Sequence, residues 1–553
     1  MTELLAVTVA GLVVIAAATV FGPRLGVAAP LVLVAIGVAA SFLPAFGAVH
    51  IEPELILEGV LPPLLYSSAV SMPAMNFRRE FGAISGLSVL LVVGSALALG
   101  LFFMLVIPGL GFAWGVALGA IVSPTDAVAT SIIKQTAVSK RVAAMLDGES
   151  LLNDATALVL LRTAVVAAAA SFSLWGSVGR FAYSVAIAVL IGWLVGRLHL
   201  IVRRRVTDPT VNTVISFAVP FIASVPAGLL GGSGLVAAVV AGIVTGIRAP
   251  RELSPQNRLS DSQNWRTVEL VLEGAVFLTM GVQLTSIVSA VDVGVGTTVL
   301  VAVGALALTI LVRAAYIAPL LRVLHGLSRR TDRLQTRLLD MRERMSTSEG
   351  KQETLDELNA RPLFKVSERD LERFTVRITR GLADIEYFRR EPLQWREGLV
   401  VVWAGMRGAV TVAAAQTLPA DTPQRSVLVL VAFAVAVLSL LVQGGTIGPL
   451  VRSITADVDR AALDEQGKQE RDRLFDLLKT SAESVPDAYA GRDPTPEGFE
   501  AAKRTRLAVL AAQRSALLDA RDNGTFDADV LETALANLDA SEITIEMRGR
   551  LAG

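Results

Sequence analysis

The sequence predicts an all-α polytopic membrane protein, and three observations carry that prediction. Hydrophobic residues make up 53% of the chain and charged residues only 18%, a balance foreign to soluble domains and ordinary for a bundle of membrane helices. The apolar residues gather into runs close to the roughly 20 residues that a helix needs to cross about 30 Å of hydrocarbon. The basic residues between those runs alternate from one side to the other.

In chain order, thirteen candidate spans lie near 4–21, 26–43, 52–71, 82–107, 111–133, 143–170, 175–201, 210–226, 231–247, 266–284, 293–323, 398–418 and 426–450. Residues 1–21 carry one charge, Glu3, and no basic stretch, so they are expected to be a span and not a secretory leader. Pro62 and Pro63 predict a kinked third span. The pair at 210–226 and 231–247 is interrupted by glycine and proline and reads either as two helices or as one broken helix plus a half.

With the N-terminus outside, the inner loops carry Arg24, then Arg78 and Arg79, then Lys134, Lys140 and Arg141, then Arg203, Arg204 and Arg205, then Arg248, Arg251 and Arg258. The outer loops and margins carry Arg180 and Arg425. This asymmetry predicts a multi-pass protein of the plasma (inner) membrane with a cytoplasmic C-terminus. Residues 326–397 are highly charged, as in Asp340 to Arg344, and are expected to form a cytoplasmic insertion in a transmembrane domain of residues 1–453. Residues 454–553 are expected to be a helical cytoplasmic tail, with Leu507, Leu510, Leu517 and Leu518 at helical spacing. The tail reads equally as a dimer-contact or regulatory module and as a solvated appendage.

Composition also excludes function classes. Without cysteine there are no disulfides, thiolate metal sites or cysteine nucleophiles. His50, His199 and His325 are placed at predicted helix ends, which argues against a histidine proton relay through the membrane. No phosphate-binding loop or dinucleotide fingerprint is present, so neither a cofactor nor ATP coupling is expected. No nucleic-acid partner is expected either.

The chemistry concentrates in one segment. Asp147, Glu149, Ser150, Asn153 and Asp154 interrupt a long apolar run. A charge at bilayer depth costs roughly 3 kcal/mol on insertion scales, so such groups must face protein or water and have partners. On a helix, positions 149, 150, 153 and 154 share one side. Two carboxylates, a hydroxyl and an amide suit a hard cation, and a desolvated carboxylate can instead hold a proton. The alternative is a buried polar network that ties helices together.

Three further features bear on it. In the span before, Pro124 lacks an N–H and leaves the Ala120 carbonyl without its usual partner, breaking the helix beside Thr125 and Asp126. Gly405, Arg407 and Gly408 interrupt a late span in the same way. Each broken helix is the middle one of a group of three, a pattern of inverted repeats. Arg313, deep in the span at 293–323, needs a carboxylate, and Glu149 is the candidate. That pairing leaves Asp154 as the exchanging group. Arg162 is expected to snorkel outward or pair locally. Glu58 is assigned to packing or dimer contacts, and Asp147 and Glu273 receive no role.

These motifs, Leu61 to Tyr66, Ser123 to Asp126, Gly148 to Asp154, Phe277 to Gly281, Arg313 and Gly405 to Ala409, run in the order found in the cation:proton antiporter-1 branch of the sodium/proton exchangers (NhaP-type and animal exchangers), which the chain resembles over roughly residues 1–453. The resemblance implies a homodimer of thirteen-helix protomers, each with two crossed broken helices. It implies that Asp154 binds cation or proton with Asp126, Thr125 and Ser150 nearby, the Na+ ligands being Asp154, Ser150 and Thr125. It implies a Glu149–Arg313 pair, an Arg407 that compensates helix-end dipoles, and, through Asn153 beside Asp154, electroneutral one-for-one exchange. The expected activity is Na+/H+ antiport, with Li+ or K+ as other cations and no enzymatic function. The alternatives are a K+/H+ antiporter of the same fold, a cation channel with an acidic lining, and an intramembrane hydrolase using Asp126 and Asp154. The insertion at 326–397 departs from the family, whose connection there is short.

Overall fold

The computed structural model describes residues 2–22, 24, 27–43, 52–126, 128–134, 136, 138–169, 174–291, 294–345, 347, 350–353, 367–455, 460–486 and 495–548. His50 and the 354–366 part of the expected insertion lie outside them. The chain divides into two compact units: Met1–Leu253 with Ser260–Leu320 and Trp395–Ala456, and Ser254–Leu259 with Leu321–Gln394 and Asp457–Gly553.

The first unit is all helical. It contains α1 (Thr2–Phe21), α2 (Ala29–Ser41), α3 (Leu61–Ser71), α4 (Ala74–Ser85), α5 (Val92–Val106), α6 (Phe112–Val122), α7 (Val128–Ile133), α8 (Lys140–Ala169), α9 (Leu174–Arg203), α10 (Pro209–Leu229) and α11 (Gly234–Glu252). It continues with most of α12 (Pro255–Val282), α13 (Leu284–Ser289) and the first part of α14 (Val295–Arg344). Among the described residues, eight helices are long and apolar enough to cross a membrane, so the chain is a multi-pass membrane protein. That is fewer than the thirteen spans expected. Leu5–Phe21, Ala29–Ser41, Leu55–Ser71 and Phe112–Val122 are shorter apolar helices, and the span at 398–418 is split in two.

The shortening has local causes. Pro62 and Pro63 cannot donate to the carbonyls one turn back, and the chain opens into a π turn over Leu55–Val60, where the Leu61 N–H reaches Ile56 O. The pair 210–226 and 231–247 resolves into two separate helices, α10 and α11. Gly231 adopts a left-handed φ of 76° in the turn between them, and the Ser233 side chain caps α11.

α14 runs unbroken from Val295 to Arg344. No break in the helix marks residue 326, and His325 lies mid-helix. α15 (Glu368–Arg390) opens with a capping box between Ser367 and Asp370, and packs Leu371 and Ile378 near Leu338 of α14. In the same second unit, α20 (Arg460–Glu483), α21 (Pro496–Asn523) and α22 (Ala528–Arg548) share a core of Leu474, Leu510, Leu517, Leu531 and Leu538. Arg514 pairs with Asp539 at 2.8 Å and also with Glu542. The tail leucines expected to be inward are so at 510, 517 and 518, while Leu507 is half-buried.

The contact that positions the site is α5 against α6. A Cβ on Gly115 would fall on the Gly100 carbonyl, and one on Gly119 on the Ala96 carbonyl, so the two backbones touch, as small residues permit between membrane helices. Gly119→Val has no room to relax, because its obstacle is backbone. We expect at least the roughly 1–3 kcal/mol of an overpacked core, read as a lowered melting temperature and yield of monodisperse protein in detergent. An unchanged melting temperature would contradict this packing.

Candidate functional site

The site forms where two helices stop. α6 ends at Val122, residues 123–126 are outside any helix, and α7 starts at Val128. α16 (Trp395–Trp403) ends before the non-helical stretch 404–408, and α17 (Ala409–Gln416) resumes beyond it. The two breaks bond each other, the Asp126 N–H donating to Met406 O at 2.7 Å. Asp126 Oδ1 accepts from the Val128 N–H at 3.1 Å, capping α7.

Arg407 serves the carbonyls that the breaks free. Its Nε donates to Val122 O at 2.9 Å, its Nη1 donates to Gly405 O, and its N–H donates to Ser439 Oγ at 2.9 Å. Ser439 lies at the end of α18 (Arg425–Ser439), which a π turn joins to α19 (Gly445–Ile454). Within that turn Gln443 Nε2 donates to Trp403 O at 3.0 Å. Both glycines in the second break have steric reasons. A Cβ on Gly408 would land on the Asp126 carboxylate, and one on Gly405 would strike Arg313 Cδ and Nε at 2.8 Å.

α8 sorts its polar residues by partner. Glu149, 1% exposed, takes a bidentate guanidinium from Arg313: Nη2 lies 2.6 Å from Oε2, and Nη1 bonds Oε1. Arg313 Nε donates to Val401 O at 2.8 Å. Asn153 Nδ2 donates to Thr125 Oγ1 at 2.6 Å, and the Thr125 hydroxyl donates to Glu149 Oε1 at 3.3 Å. Asp147, left without a role above, pairs with Lys134 at 2.8 Å, and its carbonyl accepts from the Ser150 hydroxyl at 3.0 Å. Asp154 is 7% exposed and has no hydrogen bond or ion pair among the described residues.

Asp154, Asp126, Thr125 and Ser150 line one cavity of about 120 Å³. Asn153, Glu149, Arg313 and Arg407 lie behind its wall as supports. Glu269 and Thr411, which sequence reasoning passed over, share the lining, as does Glu273, which it noted without a role. Glu269 and Glu273, one turn apart in an apolar span, were a readable signal. Thr411 was not, since a threonine in a membrane helix ordinarily bonds its own backbone. Glu58 is exposed and, with Arg162 and Arg180, lines a separate cavity of about 880 Å³ that contains none of the cluster.

The family model for the transmembrane sodium/hydrogen exchangers matches residues 9–346 and 374–453, and the chain belongs to that family. An uncharacterized Na+/H+ exchanger of Mycobacterium tuberculosis is 26% identical, the alignment covering 98% of this chain and 96% of that one. A sodium, potassium, lithium and rubidium/H+ antiporter of Bacillus subtilis is 30% identical over 47% of this chain and 40% of its own length. Among solved structures, the sodium proton antiporter MjNhaP1 of Methanocaldococcus jannaschii shares the fold, with a TM-score of 0.55, 14% identity, and coverage of 82% of this chain and 99% of that one.

The protein is therefore a secondary active Na+/H+ antiporter working by alternating access, and not an enzyme. The channel and hydrolase alternatives fall with that. Within its match the family model leaves residues 347–373 out, a shorter stretch than the 326–397 expected to depart from the family.

Removing one partner of a buried ion pair leaves the other charge uncompensated, at a cost of about 3–5 kcal/mol. Arg313→Ala should lower thermal stability by that order, and Glu149→Gln in the same chain should recover part of it. Independent, additive losses would exclude the coupling. Gly408→Ala should abolish exchange although it adds a single methyl, because that methyl displaces Asp126. Wild-type cation-driven proton flux from this variant would exclude the contact.

Proposed function

We propose that Asp154 is the carboxylate that carries cation and proton in turn. The observation that supports this is its isolation. Glu149 is held by Arg313, Asp147 by Lys134, and Asp126 by the break it caps, while Asp154 faces a cavity with no partner. An ionised, unpaired carboxylate in such a place costs several kcal/mol, and either a proton or a monovalent cation removes that cost. The site therefore crosses loaded with one or the other, which is the coupling that exchange requires.

Ser150 donates its hydroxyl hydrogen to Asp147 O and keeps its oxygen lone pairs for a cation. We assign Thr125 and Asn153 to the Arg313–Glu149 network, with only Thr125 also at the cavity wall. Asn153, neutral beside Asp154, favours electroneutral one-for-one exchange. K+/H+ exchange, or transport of several alkali cations, is the second reading, favoured by the activity for which the Bacillus subtilis relative is named.

The finer architecture belongs to the same proposal. The eight long spans, the four shorter apolar helices and the broken pair α16–α17 together make thirteen crossings. Two of these are interrupted, in repeats of opposite orientation, with the N-terminus outside and the C-terminus cytoplasmic in the plasma membrane. Residues 1–453 would then be the exchanger domain, with its cytoplasmic insertion at 326–397, and 454–553 the cytoplasmic tail. We further propose a homodimer.

Asp154→Asn should reduce exchange at least a hundredfold while leaving the elution profile of the purified protein unchanged. The measurement is dequenching of a pH-sensitive dye in proteoliposomes, titrated separately with Na+, Li+ and K+. Normal cation-driven proton flux in this variant would overturn the assignment, and the three titrations order the cations.

A further inference from the structure

Three side chains with oxygen ligands converge on the Asp154 cavity from three different helices, and none has a hydrogen bond or ion pair among the described residues. They are Asp154 of α8, Glu273 of α12 and Thr411 of α17. Thr411 is the unusual one. It is 1% exposed, and its Oγ1 is fully buried with no hydrogen-bond partner. More than nine in ten buried polar groups in native proteins are paired, and leaving one unpaired costs about 1–3 kcal/mol.

The cause lies in the break. Other buried threonines in these helices donate to the carbonyl four residues back: Thr245 to Ala241 O at 2.7 Å, and Thr309 to Ala305 O at 2.7 Å. For Thr411 that position is residue 407, in the non-helical stretch before α17, where no helical carbonyl stands beneath the side chain. The Thr411 N–H closes the first turn onto Gly408 O at 3.2 Å, and the hydroxyl is left without an acceptor on a residue that lines the cavity.

Two other hydroxyls at this wall, besides that of Ser68, are engaged. Thr125 accepts from Asn153 and donates to Glu149, and Ser150 donates to Asp147 O. Among the described residues, no three acidic or histidine side chains stand close enough to hold an ion by themselves. A bare alkali cation in this cavity therefore needs neutral oxygens besides Asp154. The cavity, about 120 Å³, has room for the ion and a few waters at roughly 30 Å³ each.

We propose that Thr411 Oγ1 is a direct ligand of the transported cation, and that it sets the preference among Na+, Li+ and K+. The proposal rests on the reading of Asp154 as the carrier. A hydroxyl fixed by a β-branched side chain on the first turn of a helix holds its distance, and a fixed distance discriminates between ions of different radius. Glu273 lies on the same wall.

The test uses the full-length protein in proteoliposomes, with the apparent KM and maximal rate measured for Na+, Li+ and K+. Thr411→Val keeps the shape and removes the oxygen, and Thr411→Ser keeps the oxygen and loosens its position. The valine variant should raise the apparent KM of the preferred cation about tenfold, change the order or spacing of the three cations, and keep the maximal rate within about twofold. The serine variant should restore the KM and blur the selectivity. Thr411→Ala replaces valine should that variant aggregate. Since no hydrogen bond is lost, the melting temperature without alkali cations should not fall in the valine variant, whereas stabilisation by added Na+ should.

Unchanged KM values for all three cations in the valine or alanine variant would overturn the proposal, as would equal loss in the valine and serine variants. Asp154→Asn measured alongside separates the two readings. If it is inactive and Thr411→Val behaves as wild type, only the Thr411 assignment fails. If Asp154→Asn still exchanges, the carrier assignment fails, and this one with it.

Discussion

Everything at the site depends on how two interrupted helices satisfy their own backbone in a place without water. In a bilayer, irregular backbone survives only where protein takes over the hydrogen bonds that helix geometry gave up. Here the two breaks do this largely for each other. The Asp126 amide bonds Met406 O, and Arg407 bonds Val122 O and Gly405 O. Arg313 reaches Val401 O, and Gln443 reaches Trp403 O. Loss of either break strands the donors and acceptors of the other, so neither is an independent feature.

The same geometry settles the charges. A helix end carries about half an elementary charge, negative at its C-terminus and positive at its N-terminus. Arg407 bonds the last carbonyl of α6 and a carbonyl just past the end of α16, two negative ends. Asp126 caps α7 and lies against Gly408, the residue that precedes α17, two positive ends. Each ion is matched by two half-charges and needs no mobile partner. Glu149 with Arg313, and Asp147 with Lys134, cancel directly. When these are removed from consideration, Asp154 and Glu273 stand at the cavity with no ion pair among the described residues, and on α8 it is Asp154 whose balancing charge has to come from solution.

Much of this was legible in the chain itself. Pro124 and the glycines at 405 and 408 announced the breaks, because proline and glycine act on the backbone locally and their effect does not depend on the fold. The depth of Arg313 announced a carboxylate partner, and Glu149 was the right one. What could not be read depended on distances between segments remote in sequence. The shortness of several spans follows from π turns and breaks, which hydropathy averages over. The commitment of the Thr125 hydroxyl to Glu149 and Asn153 came from a contact between two helices. The continuation of α14 through residue 344 was hidden because polar sequence after a membrane span reads as a loop or insertion, although helix propensity there is high.

The Thr411 hydroxyl shows how far one break reaches. In a continuous helix this threonine would bond the carbonyl of residue 407 and be silent, as Thr245 and Thr309 are with theirs. Interruption at 404–408 removes that carbonyl from beneath the side chain and passes residue 407's own side chain to the carbonyls of α6 and Gly405. A single local departure from helix geometry thus turns a residue that would satisfy itself into one whose hydroxyl is left unpaired, and does so on the wall of the cavity that holds Asp154. An interrupted helix therefore brings more to this site than free backbone groups or a helix-end dipole: it also changes the hydrogen-bonding state of the first side chains after the interruption.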